Sequence, residues 1–184
     1  IKQTKGPQGP FFVCRYNLPM NLLTKIDRIT AAIGKLSAIL LLLLLLNVFY
    51  DVIMRYLFND VSIGMQELEW HLYATLFLLG ISYTLSQNGH VRVDVIYNQL
   101  SPRRQAMIDI GGTLLLLIPF ALLISWYGVG FVADSYQLGE GSGDPGGLPY
   151  RWVIKAMIPL SFLLLILSSI GFMLRAWQRM ESDR

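Results

Sequence analysis

Asn47, Asp51, Arg55 and Asn59 recur every four residues, the spacing that stacks side chains on one face of a helix. A carboxylate and a guanidinium one turn apart can neutralise each other, and flanked by two amides they could also pass a proton or hold a cation. Two readings fit: a proton or ion path, and a local ion pair near a helix end that also bonds a neighbouring helix. Asp51 stands one turn from Arg55, where the surrounding apolar stretch ends, which favours the second. A sodium site would need several converging oxygens, and few other candidates lie at that depth. Glu67, Glu69 and His71 form a second group. A Glu and a His at i and i+4 could exchange protons, but no nucleophile, second base or metal partner stands beside them. Acids suit the positive end of a helix dipole, so capping, a Glu67–His71 bond and contact with a partner subunit are the competing readings. The third group is the alternating run His90-Val91-Arg92-Val93-Asp94, read as a segment lying at a membrane interface. Arg151 and Lys155 are cations at the start of another apolar stretch.

The elements that must position these groups follow from where charge is missing. The chain has 184 residues, 54% hydrophobic and 15% charged, with a mean hydropathy of +0.49. Soluble domains carry about 25% charged residues, so a soluble enzyme, a disordered tail and a fibrous repeat are all disfavoured. One cysteine, Cys14, and two histidines leave no Cys-rich metal or dithiol site and little for haem. Four apolar stretches of membrane-crossing length span roughly 36–58, 68–86, 106–132 and 152–174. Period-2 alternation is missing, so an all-α integral membrane domain with four transmembrane helices is expected over 20–184. Residues 1–19 are expected to be a flexible extension ahead of Met20.

Twelve of the fifteen Lys and Arg fall before the first stretch, between the second and third, or after the fourth; only Arg55, Arg151 and Lys155 fall on the other side. By the positive-inside rule both termini and the middle loop are cytoplasmic, with the short interfacial segment between spans two and three. Pro119 and Pro159 lie inside spans and are expected to kink them. The run Leu138–Pro149, rich in Gly and Pro, reads as an outward-facing, shape-adaptable contact loop. Ser101-Pro102 reads as the cap and first position of the third helix.

Arg55-Tyr56-Leu57-Phe58-Asn59, Gln66-Glu67-Leu68-Glu69-Trp70-His71, Gly89-His90-Val91-Arg92-Val93-Asp94 and the Leu100-Ser101-Pro102-Arg103 turn, in that order, resemble the small membrane subunit of TRAP (tripartite ATP-independent periplasmic) transporters. Gly146-Gly147-Leu148-Pro149-Tyr150-Arg151-Trp152 and Ile154-Lys155-Ala156 resemble the branch associated with 2-oxo acid, mannitol or chloroaromatic uptake. The resemblance covers roughly Met20 to Arg179. It departs at Gln66-Glu67, where many relatives carry two acids.

The resemblance implies a non-enzymatic partner in a bacterial inner membrane. A large multi-span subunit would carry the sodium and substrate sites, a periplasmic binding protein would deliver an organic acid anion, and this chain would scaffold the large subunit without a cofactor of its own. Asp51, Arg55, Asn59, Glu67, Glu69, His71, His90, Arg92, Asp94, Arg151 and Lys155 then become structural or subunit-interface candidates, with membrane lipids as further partners. Competing classes are a four-helix membrane cytochrome or quinone-handling protein, and a generic membrane assembly factor.

Overall fold

The structure is a computed structural model that describes residues 20–87, 89, 97 and 99–182. Among these residues there is no strand. Helix α1 runs Met20–Leu57, α2 Ile63–Ser86, α3 Pro102–Gly112, α4 Ile118–Gln137 and α5 Trp152–Ser182; a five-residue π-helical segment, Thr113–Leu117, joins α3 to α4 without a break. Three helical stretches are long and apolar enough to cross a bilayer: 36 residues to Leu57, the 36 residues Pro102–Gln137, and 29 residues from Trp152. Helix α2 is a further 24-residue helix, made more polar by Glu67, Glu69 and His71 in its first half. Residues 1–19 and His90, Arg92 and Asp94 of the expected interfacial segment lie outside the described residues.

Local chemistry sets the helix limits. The run Leu40–Leu46, with no branching at Cβ, favours helix strongly. Past Leu57, Asn59 takes φ +52, and the chain turns so that the Asp60 N–H returns to the Met54 carbonyl at 3.1 Å. Asn tolerates this left-handed conformation better than most residues. The four-residue stripe therefore ends at Arg55; Asn59 shapes the exit from α1 and is not a rung on its face. Ser62 caps α2, its hydroxyl accepting from the Met65 N–H at 3.4 Å. Helix α3 starts at Pro102, as expected, but Ser101 makes no side-chain cap bond; the Gln105 N–H meets the Ser101 carbonyl at 3.0 Å.

Pro119 has no N–H to give to Leu115. The chain accommodates it by widening the preceding turn, where the Ile118 N–H bonds Thr113 five residues back. The expected disturbance is thus a π turn within one continuous helical run. Pro159 lies inside α5 and packs beside α4: a Cβ added at Gly128 would sit 3.2 Å from its Cδ.

Helix α5 packs against α1, α2, α3 and α4. Its inward face carries Ser161, Leu165, Ser168, Ser169, Phe172 and Ala176, all buried. Small residues let helix backbones approach closely where no hydrophobic drive separates protein from lipid. The Ser82 hydroxyl of α2 reaches the Ser161 carbonyl of α5 at 3.3 Å, while Leu85, Ala121, Leu165 and Phe172 form the core cluster. Between α1 and α2, Gly34 faces the Tyr83 ring, which an added Cβ would approach to 2.6 Å.

Gly34→Leu should therefore separate α1 from α2, at a cost of about 1–3 kcal/mol from overpacking. The expected readout is a lower unfolding midpoint in detergent, with Gly34→Leu/Tyr83→Ala recovering much of the loss. An unchanged midpoint for Gly34→Leu would contradict the close contact.

Candidate functional site: ionic ties at both ends of the bundle

The charged side chains gather at two levels. At one end Glu67, on the second turn of α2, is buried, and its carboxylate gathers the loop between α4 and α5. It accepts from the Ser142 hydroxyl at 2.5 Å, the Leu148 backbone N–H at 2.6 Å and Arg151 Nη2 at 3.3 Å. A carboxylate with several short donors is well satisfied in a poorly solvated place. Glu67 is thus an internal anchor and neither a free capping acid nor the side-chain partner of His71. The His71 ring donates from Nδ1 to the Glu67 backbone carbonyl at 2.6 Å; that carbonyl acceptor places the proton on Nδ1. Glu69 is half-buried and makes no side-chain hydrogen bond or ion pair among the described residues.

The loop is shaped for this anchor. The Ser142 N–H bonds the Leu148 carbonyl at 3.0 Å, and the Gly147 N–H bonds Asp144 at 3.0 Å. Gly146 has φ +84, which glycine adopts at no steric cost. A Cβ at Gly147 would overlap the Ser142 side chain and lie 2.9 Å from Glu67 Oε2. The Arg151 N–H closes the loop on the Glu140 carbonyl at 2.9 Å. Glu140 also pairs with Lys155, whose ammonium lies 4.0 Å from the Phe131 ring centroid, a cation–π arrangement. The expectation that the loop is shape-adaptable is corrected: the glycines permit a close, specifically bonded fold.

Nearby on α1, Asp51 is buried and pairs with Arg55, while the Asn47 amide donates to the Met65 carbonyl of α2 at 3.0 Å. This is the local-pair arrangement, with Asn47 supplying the bond to a neighbouring helix. Arg151 and Lys155, structural or subunit-interface candidates in the sequence, are internal partners of Glu67 and Glu140.

At the other end α5 supplies two guanidinium groups. Arg175 meets Asp27 of α1 at 2.6 Å and the Ser86 carbonyl of α2 at 3.2 Å. Arg179 meets the buried Asp109 of α3 at 3.1 Å, and Asp109 also accepts from the Tyr97 hydroxyl at 2.8 Å. Sequence reasoning counted Arg175 and Arg179 only toward topology. No local pattern announces these pairs, because the acids stand 148 and 70 residues away in the chain. Among the described residues, no three His, Cys, Asp or Glu side chains converge as a metal-binding group.

Residues 25–179 match the family described as the DctQ component of tripartite ATP-independent periplasmic transporters. The chain belongs to the DctQ family. It is 31% identical over 149 residues to a TRAP transporter small permease protein of Haemophilus influenzae, covering 80% of this chain and 92% of that one. It is 29% identical over an alignment of 188 positions to the C4-dicarboxylate TRAP transporter small permease protein DctQ of Vibrio cholerae, covering 89% of this chain and 78% of that one. The ionic ties therefore belong to a small permease component of a TRAP transporter, and the family match agrees with the resemblance carried by the ordered motifs.

Two outcomes test the outer ties of this DctQ-family chain. Gly147→Ala should push Ser142 away from Glu67 and open the loop, seen as faster limited proteolysis within 138–151 while the helices stay resistant; equal cleavage rates would contradict the packing. The second concerns pH. The Lys155 ammonium, hydrogen-bonded to Glu140, holds that carboxyl below its usual value of 4.5. A depressed folded value means the tie stabilises the loop fully above the unfolded value and is lost as pH falls through the folded one. Loop protection should hold from neutral pH to about 5 and decline below it, and Glu140→Gln should remove the part of that decline due to this tie.

Proposed function

We propose that this chain is the small, non-enzymatic membrane subunit of a sodium-coupled, binding-protein-dependent TRAP transporter for organic acid anions, working in a bacterial inner membrane. It crosses the bilayer four times with both termini cytoplasmic. It scaffolds the large multi-span subunit, in which the sodium and substrate sites are expected, and its outer loops help receive the periplasmic binding protein.

One observation carries the scaffold reading. Within the most apolar windows of α1 and of the α3–α4 run, only 17% of residues are buried inside the chain, against 39% for α5. Two long faces are left for lipid and a partner's helices, while the buried charges described above already have partners within this chain. The exposed face of α1 includes Leu42, Leu45, Leu46 and Phe49.

The fourth crossing is supported by α2's neighbours. It is tied to α5 and the residue just before it through Glu67 to Arg151, Ser82 to Ser161 and Ser86 to Arg175, in the same order along both helices. It therefore runs parallel to α5 over a similar height, about 36 Å by helical rise, enough for a ~30 Å hydrocarbon layer. The Lys and Arg distribution gives the cytoplasmic termini. The substrate class follows the Vibrio cholerae relative, whose name carries C4-dicarboxylates.

Purification of the tagged chain from its native membranes should bring down a large multi-span subunit. Liposomes holding the chain alone should show no sodium-dependent uptake of a C4-dicarboxylate or a 2-oxo acid, and liposomes holding both subunits with the binding protein should show it. Sodium-driven uptake by this chain alone would overturn the proposal.

A further inference from the structure

A crevice of about 450 Å³ opens beside the π turn, lined by Leu85, Ile108, Asp109, Gly112, Leu116 and Phe172 among others. Its walls are hydrocarbon apart from Asp109 and Thr113, both buried. Its floor, Leu85 and Phe172, belongs to the core cluster, so the crevice reaches to the centre of the bundle. Helix interiors normally close such gaps, because every unfilled contact forfeits dispersion energy. Two features hold this one open. The π turn at Thr113–Leu117 widens the helix at that point, and Gly112 leaves space that packing does not use: a Cβ added there meets no atom within 4 Å.

We propose that the crevice binds one phospholipid, with an acyl chain along the groove and the phosphate at Arg179. The inference rests on α3–α4 crossing the bilayer and not on the transporter role. Three observations converge on this occupant. From Asp109 to Phe120 the lining covers about 16 Å of helical rise, which matches one leaflet, half of a ~30 Å hydrocarbon layer. Apolar walls exclude water as a stable filling. The polar end carries a cation suited to phosphate: Arg179 bonds Asp109 through Nη2, and its side chain is 40% exposed. A guanidinium has five N–H donors in a planar fork, which leaves several to face the headgroup layer. Asp109 holds the fork in place, and the remaining donors are left to face the phosphate.

The test is native mass spectrometry of the full chain after a delipidating detergent wash, with dioleoylphosphatidylglycerol added back. Dioleoylglycerol, which lacks the phosphate, and inorganic phosphate, which lacks the chains, are run in parallel. The expected result is one phosphatidylglycerol per chain, bound about tenfold or more tighter than dioleoylglycerol, with no competition from inorganic phosphate. Gly112→Phe should fill the groove and lower occupancy by about tenfold, with unchanged helicity. Gly130→Phe, at another helical glycine where an added Cβ meets nothing within 4 Å, should leave occupancy unchanged. Equal occupancy in Gly112→Phe and the unaltered chain overturns the site. Equal affinity for dioleoylglycerol overturns the phosphate contact. A complex with the large subunit in which a protein side chain fills the crevice and no lipid is retained overturns the lipid as occupant.

Discussion

An ionised group surrounded by hydrocarbon is costly unless an opposite charge and hydrogen bonds meet it. In an apolar chain of this kind that constraint decides where the few charges go. Asp51 turns to Arg55 on its own helix. Glu67 reaches across to the α4–α5 loop, and Asp109 meets Arg179 on α5. Glu67 and Asp109 thereby become joints between segments, while Asp51 is neutralised within its own helix. The joints fall at the two ends of the bundle, where water and headgroups lower the cost of charge, and leave the middle to serines, alanines and glycines.

Helix α5 is the shared partner in this arrangement. Its start supplies Lys155, with Arg151 just ahead of it, its middle supplies small residues for close approach, and its last turns supply Arg175 and Arg179. Helices α1, α2, α3 and α4 each contact it, yet α1 and α4 keep wide apolar faces outward. A rigid inner set of ties with greasy outer faces suits the scaffold role proposed for this small permease component of a TRAP transporter.

How legible this was in the sequence depended on sequence distance. The helical membrane class followed from gaps between charges, and the Asp51–Arg55 pair followed from i, i+4 spacing, because both are local. Glu67 was recognised as notable, but its partners stand 75 and 84 residues away, and no periodicity announces a carboxylate that gathers a distant loop. The glycines of Leu138–Pro149 announced a turn; that Gly147 is needed for Ser142 and Glu67 to meet is a property of packing alone. Asn59 continued the four-residue count on paper, while a positive φ took it off the helix. Pro119 marked a disturbance without revealing that the helix would answer it with a π turn and an open crevice. The alternating His90–Asp94 segment lies outside the described residues, so its interfacial role rests on pattern.

The central claim is that Glu67 is an internal joint, and the Leu148 amide hydrogen tests it most directly because it donates to that carboxylate. Hydrogen exchange of Leu148 should be slow in the unaltered chain and faster by about tenfold or more in Glu67→Ala, with the mid-helix amides of α2 unchanged. Equal Leu148 exchange in the two proteins would contradict the account.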